Sequence, residues 1–317
     1  MQHPNIIRVY GAEVVAETMW TTHFLAMEAC VDVADDGTTT SRTLSSAVRS
    51  GAAGALAVQL ELLRQIAAGL DYLHSNTDLA AHGLTHRDLK PDNILVKRLG
   101  DGTDVCKLCD FGSAKVQTAH AGQATTRGGG TEGWQSPEAM SNEGASSASD
   151  VFTLGLIFFF VLTGGLHPFG DDERKRGRAM MRFAGTDAEE EDEVDEADAK
   201  VRSKVGAALR DAAVPLVVAE LVATMLRCVP ARRPTAAGVL AAATLAVGSG
   251  GGRGGDDDDD DDDDDRLLCV VCLDRRHEFA VVPCGHRCLC ANCLPSAAVL
   301  CPICRAPAQG TMRIFEG

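Results

Sequence analysis

Ten consecutive aspartates at residues 256–265 set the first limit on how this chain can fold. Like charges on neighbouring residues repel and find no partner within the run, so no packed element can include it. The Gly-rich stretch "GSGGGRGG" at 248–255 comes just before it, and glycine adds backbone freedom. Residues 248–265 are therefore expected to be a linker between a body of 1–247 and a tail of 266–317. The run also supplies ten units of the formal net charge of -15, leaving -5 for everything else. That balance argues against nucleic acid as the main partner, because phosphate binding rests on Lys and Arg contacts.

With 317 residues and 45% hydrophobic content, the chain can bury one or two substantial cores. Short alternating stretches near the start, "IIRVYGAEVV" and "THFLAMEAC", predict strands. From residue 55 the period changes: Leu56, Leu60, Leu63, Ala67, Leu70 and Leu73 recur at spacings of three and four, which predicts a helix. Further helices are expected over 150–163, 214–228 and 234–246. The longest apolar run, "VFTLGLIFFFVL" at 151–162, is twelve residues, where a bilayer span needs roughly 20. It reads as a buried core helix. No apolar leader opens the sequence, so the expected location is intracellular, cytoplasmic or nuclear, unless a preceding region carries a membrane anchor. The segment 171–204 contains "DAEEEDEVDEADAK" and is expected to be a solvated surface insertion.

The chemistry of the body is concentrated in "THRDLKPDNILV" at 85–96. Seventeen residues past Asn93 comes "DFG" at 110–112, and "SPE" follows at 136–138. Phosphoryl transfer needs a carboxylate to orient the attacking hydroxyl and hard oxygen ligands to hold magnesium on the phosphates. Asp88 suits the first task, and Asn93 and Asp110 the second. Cys106 and Cys109 have metal-ligand spacing but no matching pair nearby, and are expected to be buried thiols.

By these motifs, residues 3 to about 246 resemble a eukaryotic protein kinase. "HPNIIRVYG" resembles the segment after helix αC, and "LAMEAC" the last N-lobe strand and hinge. The resemblance implies an ATP site in which Met27 is the gatekeeper and the backbones of Glu28 and Cys30 face adenine. It makes Asp88 and Lys90 the catalytic pair, with Mg2+ on Asn93 and Asp110. Lys90 within the loop points to Ser/Thr specificity, and Thr131 would support Asp88 and Lys90. Asp150 would hold the catalytic loop, Arg233 would pair with Glu138, and His86 and Phe111 would be core spine residues. "GTEGW" and "HPFGD" are similar to the inositol-requiring stress-sensor kinases of the unfolded protein response. Nothing like that family's ribonuclease domain follows here, so RNA cleavage is not carried over.

A kinase also needs a glycine-rich loop, a strand lysine and a helix-αC glutamate. Only Met1 and Gln2 precede His3. The sequence is therefore expected to start inside a longer protein and to transfer little or no phosphate by itself. The other reading is an inert kinase-like docking lobe that serves the tail as an adaptor. The implied fold is α+β, a kinase-like fold lacking most of its N-lobe, with a mainly helical C-lobe.

Eight of the twelve cysteines lie between 269 and 304. They read Cys269-x2-Cys272, Cys284-x-His286, Cys290-x2-Cys293 and Cys301-x2-Cys304, with Cys288 left over as a free thiol. Four ligand pairs suffice for two closed tetrahedral sites, so two structural Zn2+ ions are expected. The order of ligands resembles a RING finger, and the stretch "VPCGHRCLCANC…CPICRAPAQGTMRIF" most resembles those of the inhibitor-of-apoptosis type. That resemblance implies a small cross-brace domain, with one zinc on Cys269, Cys272, Cys290 and Cys293 and the other on Cys284, His286, Cys301 and Cys304. It also implies docking of a ubiquitin-conjugating enzyme through Val271, Pro302 and Arg305, and dimerisation through the final strand. The expected function is a Ser/Thr kinase acting on protein substrates, fused to a RING-type ubiquitin ligase.

Overall fold

The computed structural model describes residues 2–16, 21–33, 39–75, 83–116, 130–141, 144–170, 172–184, 191–249, 279–282, 287–291 and 310–313. The first strands are β1 (Val9–Ala16), β2 (Thr21–Met27), β3 (Asp32–Val33) and β4 (Thr39–Thr40). Helices α1 (Leu44–Arg49) and α2 (Leu56–Ser75) precede strands β5 (Leu84–Thr85), β6 (Ile94–Arg98), β7 (Asp104–Leu108) and β8 (Lys115–Val116). The remainder of the body is helical: α3 (Pro137–Met140), α4 (Ser147–Leu162), α5 (Glu173–Ala184), α6 (Glu191–Asp211), α7 (Leu216–Met225) and α8 (Ala236–Ser249). Strands β9 (Phe279–Val282), β10 (Arg287–Leu289) and β11 (Gly310–Arg313) lie in the tail. The architecture is α+β and mainly helical, as the sequence predicts.

The apolar run at 151–162 becomes the middle of α4. Every residue of that helix from Ser149 to Leu162 is buried, so it is surrounded by protein on all sides. Gly155 allows the close approach of α7, since a methyl group there would meet Met225 Cβ at 2.9 Å. Helix α2 buries Leu60, Leu63, Ala67, Leu70 and Leu73 on the face its spacing predicts. Its Gly69 lies against the N-terminal segment and β7: an added Cβ would stand 2.8 Å from the Asn5 carbonyl oxygen and 3.0 Å from Leu108 Cδ1. Among the described residues, no helix is long and apolar enough to cross a membrane.

Most strands pair with a neighbour in sequence, and β5 pairs with the more distant β8. β6 and β7 form an antiparallel ladder from Ile94↔Leu108 to Arg98↔Asp104, and Ile6 bridges Leu108 in parallel. β1 and β2 form an antiparallel hairpin whose register shifts between Val9 and Gly11. This hairpin exposes Val9, Tyr10, Val14, Phe24, Leu25 and Met27.

The acidic segment departs from expectation. The sequence predicts a solvated surface insertion over 171–204, yet α5 and most of α6 occupy it, with Arg176, Met180 and Val201 buried. Val201, Val205 and Leu209 recur every four residues and bury one face of α6. The charges take the opposite face, where Lys200 pairs with Glu196 at 2.7 Å. Net acidity over the window masked this periodic stripe.

Glu138 and Arg233 join α3 to the segment before α8. Arg233 donates from Nη1 to Glu138 Oε1 at 2.6 Å and from Nη2 to Oε2 at 2.9 Å. Its remaining donors reach the carbonyls of Ala148, Cys228 and Arg227. All five guanidinium N–H groups are thereby engaged, and the Ser149 hydroxyl donates to Glu138 at 2.7 Å. Burial pushes the Glu138 carboxyl up, but the Arg233 hydrogen bonds and charge outweigh it and hold the group below the usual Glu range.

Two outcomes are expected. Gly69→Ala gains up to about 1 kcal/mol of helix propensity, but the clash with the rigid Asn5 carbonyl should leave a net loss of stability in urea denaturation. Arg233→Ala strands a buried carboxylate and should cost about 3–5 kcal/mol. Because the folded pKa of Glu138 is depressed, its contribution is complete above the ordinary Glu value and lost as pH falls through the folded one. Urea midpoints measured from pH 7 to pH 3 should therefore fall less steeply in Arg233→Ala than in wild type.

Candidate functional site

The loop after β5 is fixed by one carboxylate. Asp150, in the first turn of α4, accepts the backbone N–H of His86 at 2.8 Å and of Arg87 at 2.9 Å. Its Oδ2 also meets His74 Nε2, at the end of α2, at 2.9 Å. Arg87 has φ 70, a left-handed conformation that costs a non-glycine residue energy and is held here by those bonds. His86 is wholly buried, with Nε2 facing the Cys109 carbonyl at 3.1 Å and its ring 5.0 Å from Phe111. Burial pushes the His86 imidazole down, so it stays neutral.

Next in the loop, Asp88 has both carboxylate oxygens occupied. Thr131 donates its hydroxyl to Oδ1 at 2.9 Å. Lys90 and Asn93 donate to Oδ2 at 3.2 Å and 3.1 Å. Lys90 Nζ also donates to Thr131 Oγ1 at 2.6 Å, and the Asn93 amide to the Asp88 carbonyl at 2.8 Å. The Asn93 side-chain nitrogen is turned inward, leaving its carbonyl oxygen for a ligand. Asp88 and Lys90 remain partly open, with side-chain exposures of 14% and 20%.

Asp110 is brought alongside by the end of β7. The Cys109 N–H donates to the Asn93 carbonyl at 3.0 Å, and its thiol reaches the same oxygen at 3.3 Å. Asp110 follows with φ 62 and an exposed side chain. Cys106 is buried and Cys109 half-buried. Burial pushes the Cys109 thiol up to about 11 and Cys106 higher still, so both are protonated thiols near neutral pH.

The residues expected to form a hinge take a fastening role that the sequence did not reveal. Glu28 donates its N–H to the Arg8 carbonyl at 2.8 Å, and its carboxylate pairs with Lys107 Nζ at 3.0 Å. Lys107 also donates to the Pro4 carbonyl at 2.9 Å. Cys30 is buried and Met27 exposed. The one available signal was Lys107 itself, a cation at an inward position of β7. His74 was also missed, since its partner Asp150 lies 76 residues away.

Among the described residues no three His, Cys, Asp or Glu side chains converge into a metal cage. Asn93 and Asp110 fit magnesium only together with phosphates and water, which is how that ion is usually bound. In the tail, β9 pairs with β10 on one side and β11 on the other, and Cys288 sits at the register shift of β10. Of the eight expected zinc ligands only Cys290 is described, and it is buried. Cys269, Cys272, Cys284, His286, Cys293, Cys301 and Cys304 lie outside the described residues, as do Val271, Pro302 and Arg305.

The family model for the protein kinase domain matches residues 1–243. The model for a zinc finger of C3HC4 type, the RING finger, matches residues 265–311. The serine/threonine-protein kinase/endoribonuclease IRE1b of Arabidopsis thaliana is 42% identical over 120 residues, covering 36% of this chain and 13% of that protein. The serine/threonine-protein kinase/endoribonuclease IRE2 of Homo sapiens is 31% identical over 247 residues, covering 76% of this chain and 22% of the relative. The mitogen-activated protein kinase kinase kinase zak-1 of Caenorhabditis elegans is 32% identical over 186 residues, covering 58% and 23%. The chain thus spans less than a quarter of the length of each of these relatives. The helical body, its loop network and these matches together make the chain a member of the protein kinase family, joined to a C-terminal RING finger.

Proposed function

We propose that the kinase domain directs phosphoryl transfer from ATP to serine or threonine hydroxyls of protein substrates, and that the RING finger recruits a ubiquitin-conjugating enzyme. The observation that carries the first part is the Asp88 carboxylate, held on one oxygen by Thr131 and on the other by Lys90 and Asn93. A carboxylate so fixed can align an incoming hydroxyl and accept its proton without reorganising. Lys90, bonded to Asp88 and Thr131, would stabilise charge on the phosphoryl group. Asn93 and Asp110 would hold magnesium, which neutralises phosphate charge during transfer. The backbones of Glu28 and Cys30 would receive adenine.

The second part rests on the C3HC4 match and on a donor set of seven cysteines and one histidine, which suits two closed tetrahedral zincs. With no coordination position left open, these ions are structural. Function then falls to the surface they fold, for which Val271, Pro302 and Arg305 are the proposed contacts with the conjugating enzyme.

Differential scanning fluorimetry of the 317-residue chain should show a magnesium-dependent rise in Tm with ATP, and Asp110→Ala and Asn93→Ala should abolish it. Absence of any such rise in wild type would favour the docking lobe instead. For the tail, the zinc-loaded chain should accelerate release of ubiquitin from a charged conjugating enzyme. Cys284→Ala and zinc chelation should each remove that acceleration, and retention of full activity in either would overturn the ligase reading.

A further inference from the structure

The chain has only seven lysines, Lys90, Lys97, Lys107, Lys115, Lys175, Lys200 and Lys204, against 23 arginines. Residues 205–317, which include the whole RING finger, contain eleven arginines and no lysine. The two cations differ chemically. A lysine amine can give up a proton and become a nucleophile, whereas the guanidinium stays protonated and is no acceptor for ubiquitin. A RING finger without lysine cannot carry an isopeptide-linked ubiquitin on its own side chains.

The structure sorts the seven lysines by access. Lys90 is 20% exposed and committed to Asp88 and Thr131. Lys107 is 11% exposed and held by Glu28 and the Pro4 carbonyl. Lys97 is half-buried, with Glu28 at 4.0 Å, and Lys115 is also half-buried and engaged. In contrast, the Lys175 side chain is 78% exposed and Lys200 71%, and Lys204 is exposed. Among the described residues, Lys175 and Lys200 make surface pairs with Asp172 and Glu196, a kind worth about 0–1 kcal/mol and readily broken. All three open lysines therefore lie on α5 and α6, the charged segment to which the kinase chemistry gives no task.

We infer that the RING finger modifies its own kinase domain, with Lys175, Lys200 and Lys204 as the acceptors. This rests on the ligase reading proposed above. The sixteen residues 250–265 can span at most about 55 Å. A body of about 247 residues has a radius of gyration of roughly 18 Å, so the tether is long enough to cross it and makes the encounter intramolecular. In the step itself, the deprotonated lysine Nζ attacks the thioester carbonyl joining the ubiquitin C-terminus to the cysteine of the conjugating enzyme. The C–N isopeptide bond forms, the C–S bond breaks, and the thiolate leaves. The lysine protons are released to solvent.

The test uses the full zinc-loaded chain with ubiquitin, activating enzyme, a charged conjugating enzyme and ATP. Two readouts are followed: conjugates on the chain itself, mapped by diglycine remnants in mass spectrometry, and ubiquitin discharge to free lysine in solution. Remnants are expected on Lys175, Lys200 and Lys204. The variant K175R/K200R/K204R should lose most self-conjugates while keeping wild-type discharge to free lysine and a wild-type urea midpoint. The inference is overturned by undiminished conjugates in that variant, or by remnants confined to other lysines or to the N-terminal amine. It is equally overturned if wild type discharges to free lysine without marking itself. Failure of wild type to discharge at all would instead remove the ligase reading beneath it.

Discussion

The Asp150 carboxylate is the constraint on which the body's loop geometry depends. It sits at the start of a helix buried along nearly its whole length, and it accepts two successive backbone N–H groups from the loop that carries Asp88. Those bonds keep Arg87 in a left-handed conformation, and that conformation turns Asp88 toward Thr131 and Asn93. A buried carboxylate is tolerable only when its lone pairs are satisfied. Here the satisfying groups are the loop it shapes and His74 from α2. The core helix and the polar site are thus parts of one arrangement.

Buried polarity elsewhere follows the same rule. Arg233 is satisfied at every donor and also lies over the Phe152 ring at 4.8 Å, so the junction of α3, α4 and the chain before α8 is both ionic and packed. Such a pair confers geometry more than net stability, because removing two charges from water costs much of what their attraction returns. What it specifies is where α3 lies, and hence where the "GTEGW" loop carrying Thr131 can go.

Much of this was legible in the sequence. Helices α2 and α4 were visible through spacing and apolar density, which are local signals. Asp88, Lys90 and Asn93 sit within six residues of one another, so their convergence on one carboxylate shows in one short motif. Helices α5 and α6 were hidden because their apolar stripe, Met180 and then Val201, Val205 and Leu209, is diluted by charge. His74 and the Lys107 to Glu28 pair could not be read, since a long-range ion pair leaves no periodic trace. For the RING the ligand spacing carried the reading, and the C3HC4 match extends over the same residues.

The attachment of the β1–β2 hairpin differs at its two ends. At entry, Ile7 donates its N–H to the Leu108 carbonyl at 2.9 Å and Leu108 donates to the Asn5 carbonyl at 2.9 Å. At exit, the hairpin is joined to β7 through the Glu28 carboxylate on Lys107. With its side chains only 11% and 18% exposed, that ion pair is largely shielded from dissolved salt, which screens buried pairs much less than exposed ones. Lys107 also reaches the Pro4 carbonyl, so a single ammonium ties the chain leaving the hairpin to the chain entering it. The two stalks are thus fastened to each other as well as to β7.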